Sequence, residues 1–343
     1  MSRMIADAVR ADPGGPAARI TLPGVRVGCL AVALTGTLLA AFGLTGSRAQ
    51  PVYRAIVVVD ITRSMNVRDY SQEAGPESRL DFTKKALLQT VRDLPCGSQL
   101  GLGLFTERRS ALLFEPIEVC HGFAVLSAAV EQLDWRMAWA ADSRIADGLV
   151  DALRTLPDAD TALAFVTDGQ EAPPRNPRYR PALADFAGKR HGIVLGVGGL
   201  ALSPIPKFNE KGEPAGFYAA EEVPHRSSFG LPNRHPTEIE GYHERNAPFG
   251  SAWEIGNEHL SSLKEDYLKE LAGEAGLVYR RLERPEDLPH ALMLPDFSRK
   301  QRVRTDLSAW PASLGLLALA LTFLVEPLLL LAGRLRRALL TNH

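Results

Sequence analysis

Cysteine is scarce, with three residues in a chain of 343. That excludes a disulfide-dense mini-scaffold, a four-cysteine zinc site and an iron–sulfur cluster built from this chain alone. An excess of either charge is missing too, since 39 Lys and Arg stand against 40 Asp and Glu, a formal net charge of −1. A phosphate-reading surface needs a clear basic excess, so nucleic acid is not an expected partner. The pattern G-x-x-x-x-G-K-[ST] is absent, which argues against ATP hydrolysis. No Ser-His-Asp or Cys-His arrangement stands out, and there is no tandem repeat. What is present is ordinary for folded domains: 45% apolar and 23% charged residues, too rich for a disordered chain. At ~150 residues per domain, the length suggests roughly two units.

Much of the apolar content sits at the two ends. Residues 27–46 (VGCLAVALTGTLLAAFGLTG) carry no charge, and at ~1.5 Å per residue such a helix crosses a ~30 Å hydrocarbon core. Arg3, Arg10, Arg19 and Arg26 precede it, and Ser47-Arg48-Ala49-Gln50 after it faintly resembles a small-residue cleavage site. A cleaved signal and a retained anchor both fit; the run exceeds the ~7–15 residues of a usual signal core, which favours the anchor. A second run, 310–333, is interrupted by Glu326-Pro327 and followed by Arg334, Arg336 and Arg337. Glu326 reads either as a carboxyl that is protonated or faces a partner helix, or as a functional intramembrane acid. The basic flanks place the tails 1–26 and 334–343 in the cytoplasm and the domain between the spans in the periplasm of a bacterial inner membrane. Cys96 and Cys120 are the only cysteines outside the two runs. Disulfides persist in that compartment, so we expect this pair to bond, closing a loop of about 25 residues worth ~3.5 kcal/mol. Two unpaired buried thiols are the alternative.

Between the ends, strand and helix patterns alternate. Apolar, β-branched runs at 53–60 (YRAIVVVD), 99–106, 110–116, 161–168, 191–199 and 277–282 read as strands. Helical spacing of apolar residues marks 80–94, 123–135, 145–156, 260–272 and 284–292. This alternation predicts an α/β fold: a doubly wound, mostly parallel sheet with helices on both faces, Rossmann-like, over 52–295. The stretch 200–259 is a long Pro-, Gly-, His- and charge-rich insertion, a length usually reserved for functional or mobile loops. Its His225, His235 and His243 are spaced more loosely than metal ligands and read as solvated residues.

Two strands end in aspartate, Asp60 and Asp168, at the edge where doubly wound sheets bind ligands. Asp60-Ile61-Thr62-Arg63-Ser64 sets three oxygen-bearing side chains at alternate positions, and a turn leaving the strand can aim all three at one centre. Carboxylate and hydroxyl oxygens favour a hard cation, Mg²⁺ or Mn²⁺, with waters completing its shell. The same residues, taken singly, also suit helix caps. An acid two residues after the strand-end aspartate, as haloacid-dehalogenase-type phosphohydrolases use, is replaced by Thr62, so the proton donor is missing. No catalysis is expected.

The order D-x-T-x-S at Asp60–Ser64, Ser143-Arg144-Ile145-Ala146-Asp147-Gly148-Leu149 and Thr167-Asp168-Gly169 resembles the metal-ion-dependent adhesion site of von Willebrand factor A domains. Thr62 stands for serine in the first motif and Ser143 for threonine in the second, each keeping the hydroxyl. The resemblance implies a metal held by Asp60, Thr62, Ser64, Ser143 and Asp168, the two aspartates acting largely through water. An outer position stays open for an acidic residue of a protein partner.

The late segments around Ser203-Pro204-Ile205-Pro206 and 260–280 are similar to the membrane-anchored bacterial group encoded beside MoxR-type ATPases. FEPIEVCHGF, DWRMAWAADS and GNEHLSSLKEDYLKELA resemble the von Willebrand factor A proteins of methanol-oxidation gene clusters. That resemblance implies a docking factor in the assembly or metal insertion of periplasmic methanol dehydrogenase. The alternative is an envelope-stress or aerotolerance scaffold of the BatA/BatB kind, whose members usually carry two N-terminal spans where this chain has one.

Overall fold

The long strand β1 (Thr45–Asp60) is buried over its last six residues. Its side chains alternate between two cores: Ala55, Val57 and Val59 enter one, Ile56 and Val58 the other, as the two-residue period of a strand requires. The computed structural model describes residues 22–72, 75–139, 142–172, 181–209, 211–223 and 257–340. They form two compact units, Gln50–Gln301 and one built from the two ends of the chain.

In the larger unit β1 is joined by β2 (Gln99–Thr106), β3 (Arg109–Glu118), β4 (Ala162–Thr167), β5 (Gly192–Val197) and β6 (Val278–Leu282). The order across the sheet is β6-β5-β4-β1-β2-β3. Along this order the pairings are parallel except the β2–β3 hairpin; β7 (Ser298–Asp306) also pairs with β1. The direction of winding reverses between β1 and β4, which opens a crevice at their carboxyl ends.

Helices cover both faces. On one lie α2 (Arg79–Asp93), α3 (Phe123–Glu131) and α6 (Asp287–Leu292); on the other, α4 (Ile145–Thr155) and α5 (Glu265–Ala275). Helix α2 starts where Ser78 Oγ accepts from Asp81 N (3.0 Å), an N-cap. Its Leu80, Leu87 and Val91 are buried on one face. Helix α5 ends at Gly276, left-handed at φ +69°, the usual glycine stop. Gly148 lets α4 lie against the sheet, because a Cβ there would sit 2.0 Å from Phe105 Cε2. Cys96 and Cys120 are disulfide-bonded, with Cα atoms 5.3 Å apart.

Three expectations need correcting. The helix read at 260–272 begins at Glu265, because Leu260–Ser261 instead pairs antiparallel with Ser203–Pro204. The helix read over 123–135 stops at Glu131 and is followed by a separate turn, Trp135–Met137. The stretch 200–259 is not loop throughout: Pro206–Phe208 and Pro214–Phe217 form a small antiparallel pair. His225, His235 and His243, with the rest of 224–256, lie outside the described residues.

In the second unit α1 (Leu22–Ala41) packs on α7 (Ala309–Leu340). A Cβ on Gly36 would meet Pro311 O at 2.7 Å and Gly315 Cα at 3.0 Å, so the two backbones nearly touch. Ala33, Ala318 and Thr322 are buried in the unit, while Leu34, Leu316 and Phe323 point outward at 62%, 69% and 72% exposure. Helix α1 ends five residues before the apolar run does, and Thr45 and Gly46 already belong to β1. Among the described residues no helix is long and apolar enough to cross a membrane. Residues 1–21 and 341–343 lie outside the description, as does the side chain of Glu326.

Candidate metal centre

The parallel pairing of β1 and β4, with Val59 opposite Val166, brings Asp60 beside Thr167. Asp60 is fully buried; its Oδ2 accepts from Thr167 Oγ1 at 2.6 Å and its Oδ1 from Thr62 N at 2.8 Å. The chain then turns tightly through Arg63–Asn66, leaving Thr62 Oγ1 and Ser64 Oγ 3.3 Å apart. Ser143 arrives from the segment before α4, clamped by Ser143 N to Ala172 O (2.8 Å) and Ala172 N to Ser143 O (3.0 Å). Its neighbour Arg144 N donates to the carbonyl of Glu107 (2.6 Å), a non-glycine residue held at φ +59°.

Thr62, Ser64 and Ser143 line one pocket of ≈ 30 Å³ together with Gln170. That is room for an ion or one to two waters. Ser143 Oγ and Gln170 Oε1 are buried without a hydrogen-bond partner, an expensive condition unless something occupies the space they face. Asp60 and Asp168 do not line the pocket; they sit behind it at the strand ends.

Asp168 is already engaged. Its Oδ1 accepts from Gln170 N (2.9 Å), and its Oδ2 from Arg79 Nη1 (2.5 Å) and Ser261 Oγ (3.1 Å). Arg79 is itself fully buried and forks to Asp69 (2.6 and 3.0 Å) and Ser261 Oγ (2.7 Å). Asp60 has no such cation: among the described residues no Lys, Arg or His pairs with it. Burial raises its carboxyl well above the usual carboxylate range, and the nearby Asp168 raises it further; the hydrogen bonds from Thr167 and Thr62 only partly offset this. A divalent cation in the pocket removes both penalties at once. The donor set, three hydroxyls backed by two carboxylates, suits Mg²⁺ or Mn²⁺ and no soft metal.

Of the five residues read from the sequence, Thr62, Ser64 and Ser143 line the pocket, while Asp60 and Asp168 sit at the strand ends, bonded to Thr62 and Gln170. Arg79, Asp69, Gln170 and Ser261 were not read. Arg79 had a signal, since it shares a helical stripe with Thr83, Ala86 and Thr90, all buried, but its charge reads as solvent-facing. The opposite wall of the pocket, Ile205, Tyr218, Val223 and Glu258, comes from the polar insertion, where periodicity gives none.

No protein-family model matches the chain, and no curated protein does. Solved structures similar to it include an aerotolerance-related membrane protein from Bacteroides fragilis, 15% identical, covering 70% of this chain and 96% of that one (TM-score 0.45). BatB from Bacteroides thetaiotaomicron is 17% identical over 70% of this chain and 94% of its own (TM-score 0.44). A von Willebrand factor type A protein from Catenulispora acidiphila is 12% identical over 79% and 44% (TM-score 0.38). The neighbours include von Willebrand factor A domains. This chain has a mostly parallel sheet between two helical layers, in the order β6-β5-β4-β1-β2-β3.

Proposed function

We propose that this chain is a membrane-anchored von Willebrand factor A protein that docks an acidic partner through a divalent cation. One observation carries the reading: the buried, unpartnered Ser143 hydroxyl lines the same pocket as Thr62 and Ser64. Held by hydroxyls and water, a hard cation keeps coordination to spare and accepts a carboxylate from another protein.

The anchor is part of the proposal. The uncharged run 27–46, the basic flanks, and the outward leucines and phenylalanine around a glycine-tight helix pair support two spans with the larger unit in the periplasm. For the client we propose periplasmic methanol dehydrogenase, in its assembly or metal insertion, on the resemblance of three segments to the MxaL and MxaC proteins. A MoxR-type ATPase would then act from the cytoplasm through the spans or a neighbouring membrane protein. The alternative client set is that of an aerotolerance scaffold.

Calorimetric titration of the purified full chain with Mg²⁺ tests the site. Asp60→Ala and Asp168→Ala should each weaken binding, and unchanged affinity in both rejects it. A strain carrying Asp60→Ala tests the client. Fully active dehydrogenase with normal metal content rejects that assignment and leaves the scaffold reading ahead.

A further inference from the structure

The pocket that faces the candidate metal ligands is not open to one side. Its far wall is made of this chain's own Ile205, Tyr218, Val223 and Glu258, and that wall is fastened to the site. Ser261, three residues after Glu258, donates to Asp168 Oδ2 (3.1 Å) and accepts from Arg79 (2.7 Å). Lys264 N donates to the carbonyl of Asp168 (2.9 Å). Ile205 N donates to the carbonyl of His259 (3.2 Å), and Tyr218 N to that of Ile205 (3.0 Å). Arg63, beside the metal turn, lies over the Tyr218 ring at 4.9 Å. Glu258 thus stands on a strut anchored at Asp168, facing a space of ≈ 30 Å³ whose other walls hold Thr62, Ser64 and Ser143. Glu258 therefore lines the same small space as Thr62, Ser64 and Ser143.

We propose that Glu258 is the chain's own carboxylate ligand to the cation, seated where a partner's acidic residue would enter. The inference rests on the metal reading and extends it. An incoming acidic side chain must then displace Glu258, so the free protein holds its metal in a self-satisfied state. Docking is an exchange of one carboxylate for another, with no change in the charge around the ion. Such an exchange keeps weak acids out and admits a partner only when contacts beyond the ion favour it.

The test loads the purified full chain with Mn²⁺, measures affinity by calorimetry, and reads metal-bound water by proton relaxation, with acetate as the probe carboxylate. In unmodified protein acetate should leave the relaxation unchanged. Glu258→Gln should weaken Mn²⁺ binding by about 10–100-fold, raise the relaxation enhancement as water replaces the carboxylate, and make it fall again when acetate is added. Glu258→Asp, one methylene shorter, should show the same gain in smaller measure and guards against a Gln variant that folds poorly. If the unmodified chain binds no Mn²⁺, both this inference and the metal reading are wrong. If it binds Mn²⁺, and Ser143→Ala weakens binding while both Glu258 variants match the unmodified chain in affinity and relaxation, only the role of Glu258 falls.

Discussion

Replacing Arg79 by Met should cost more than any other single change at the site. The guanidinium is fully buried and pairs with two acids, Asp168 at 0% and Asp69 at 9% side-chain exposure. Met fills similar volume but leaves both carboxylates buried without a counter-charge. Breaking a buried pair from one side typically costs ~3–5 kcal/mol. For a unit of this size each kcal/mol moves the melting temperature by ~2–4 °C, so a fall of roughly 6–20 °C is expected. Arg79→Lys keeps the charge but loses the fork that reaches Asp69, Asp168 and Ser261 together, and should fall in between. Adding Asp168→Asn to Arg79→Met removes one stranded anion and should recover part of the loss; that non-additivity is the signature of the pair. Thermal and urea unfolding of the full chain, in a Trp310→Phe background that confines tryptophan fluorescence to residues 50–301, provides the measurement. A Met variant within ~1 kcal/mol of the parent, or strict additivity in the double variant, would show that Arg79 does not carry these charges.

Ser143→Ala should leave stability within ~0.5 kcal/mol, since the hydroxyl bonds to nothing in the protein, yet lower Mg²⁺ affinity; equal affinity by calorimetry counts against the site. Reduction of Cys96–Cys120 should destabilise the larger unit by ~3.5 kcal/mol in urea. Glu118 adds a pH dependence there. Burial raises its carboxyl, but hydrogen bonds from Gly97 N, His121 N, the His121 ring and Cys120 N outweigh burial and bring it down from 4.5 to about 2. Because the folded value lies below the unfolded one, this stabilisation is complete above pH ~4.5 and is lost as the pH falls towards ~2; Glu118→Gln should flatten that slope in melting curves. Gly148→Ala should cost ~1–3 kcal/mol or more through its clash with Phe105, whereas Gly273→Ala, with nothing within 4 Å, should gain ~0.5–1 kcal/mol.

The sheet was legible where burial on both faces forces continuous apolar runs, as at Ile56–Val59 and Ala162–Val166, and the helices where one apolar stripe faces the sheet, as in α4. Strand β7, Ser298–Asp306 (SRKQRVRTD), was not, because a strand with five charged residues in nine carries no hydrophobic alternation. Leu260 and Leu263 mimicked the start of a helix, although one lies in a short pairing with Ser203–Pro204 and the other is buried ahead of Glu265. The floor of the site was legible because its hydroxyls and acids sit at fixed offsets after strand ends. Arg79 and Glu258 were not, because each meets the site only through tertiary packing, 89 residues from Asp168 in the case of Arg79.

The two sides of the pocket differ in how they are built. Its floor hangs from β1 and β4, flanked by paired strands in the middle of a seven-stranded sheet, while its far wall hangs from pairings of two to four residues, Ser203–Pro204 with Leu260–Ser261 and Pro206–Phe208 with Pro214–Phe217. Short ladders open at a small fraction of the free energy that separates central strands. Entry to the pocket should therefore follow the wall rather than the floor: changes at Pro204, Ile205 or Tyr218 are expected to alter how fast an occupant comes and goes more than they alter the affinity of the floor for its ion.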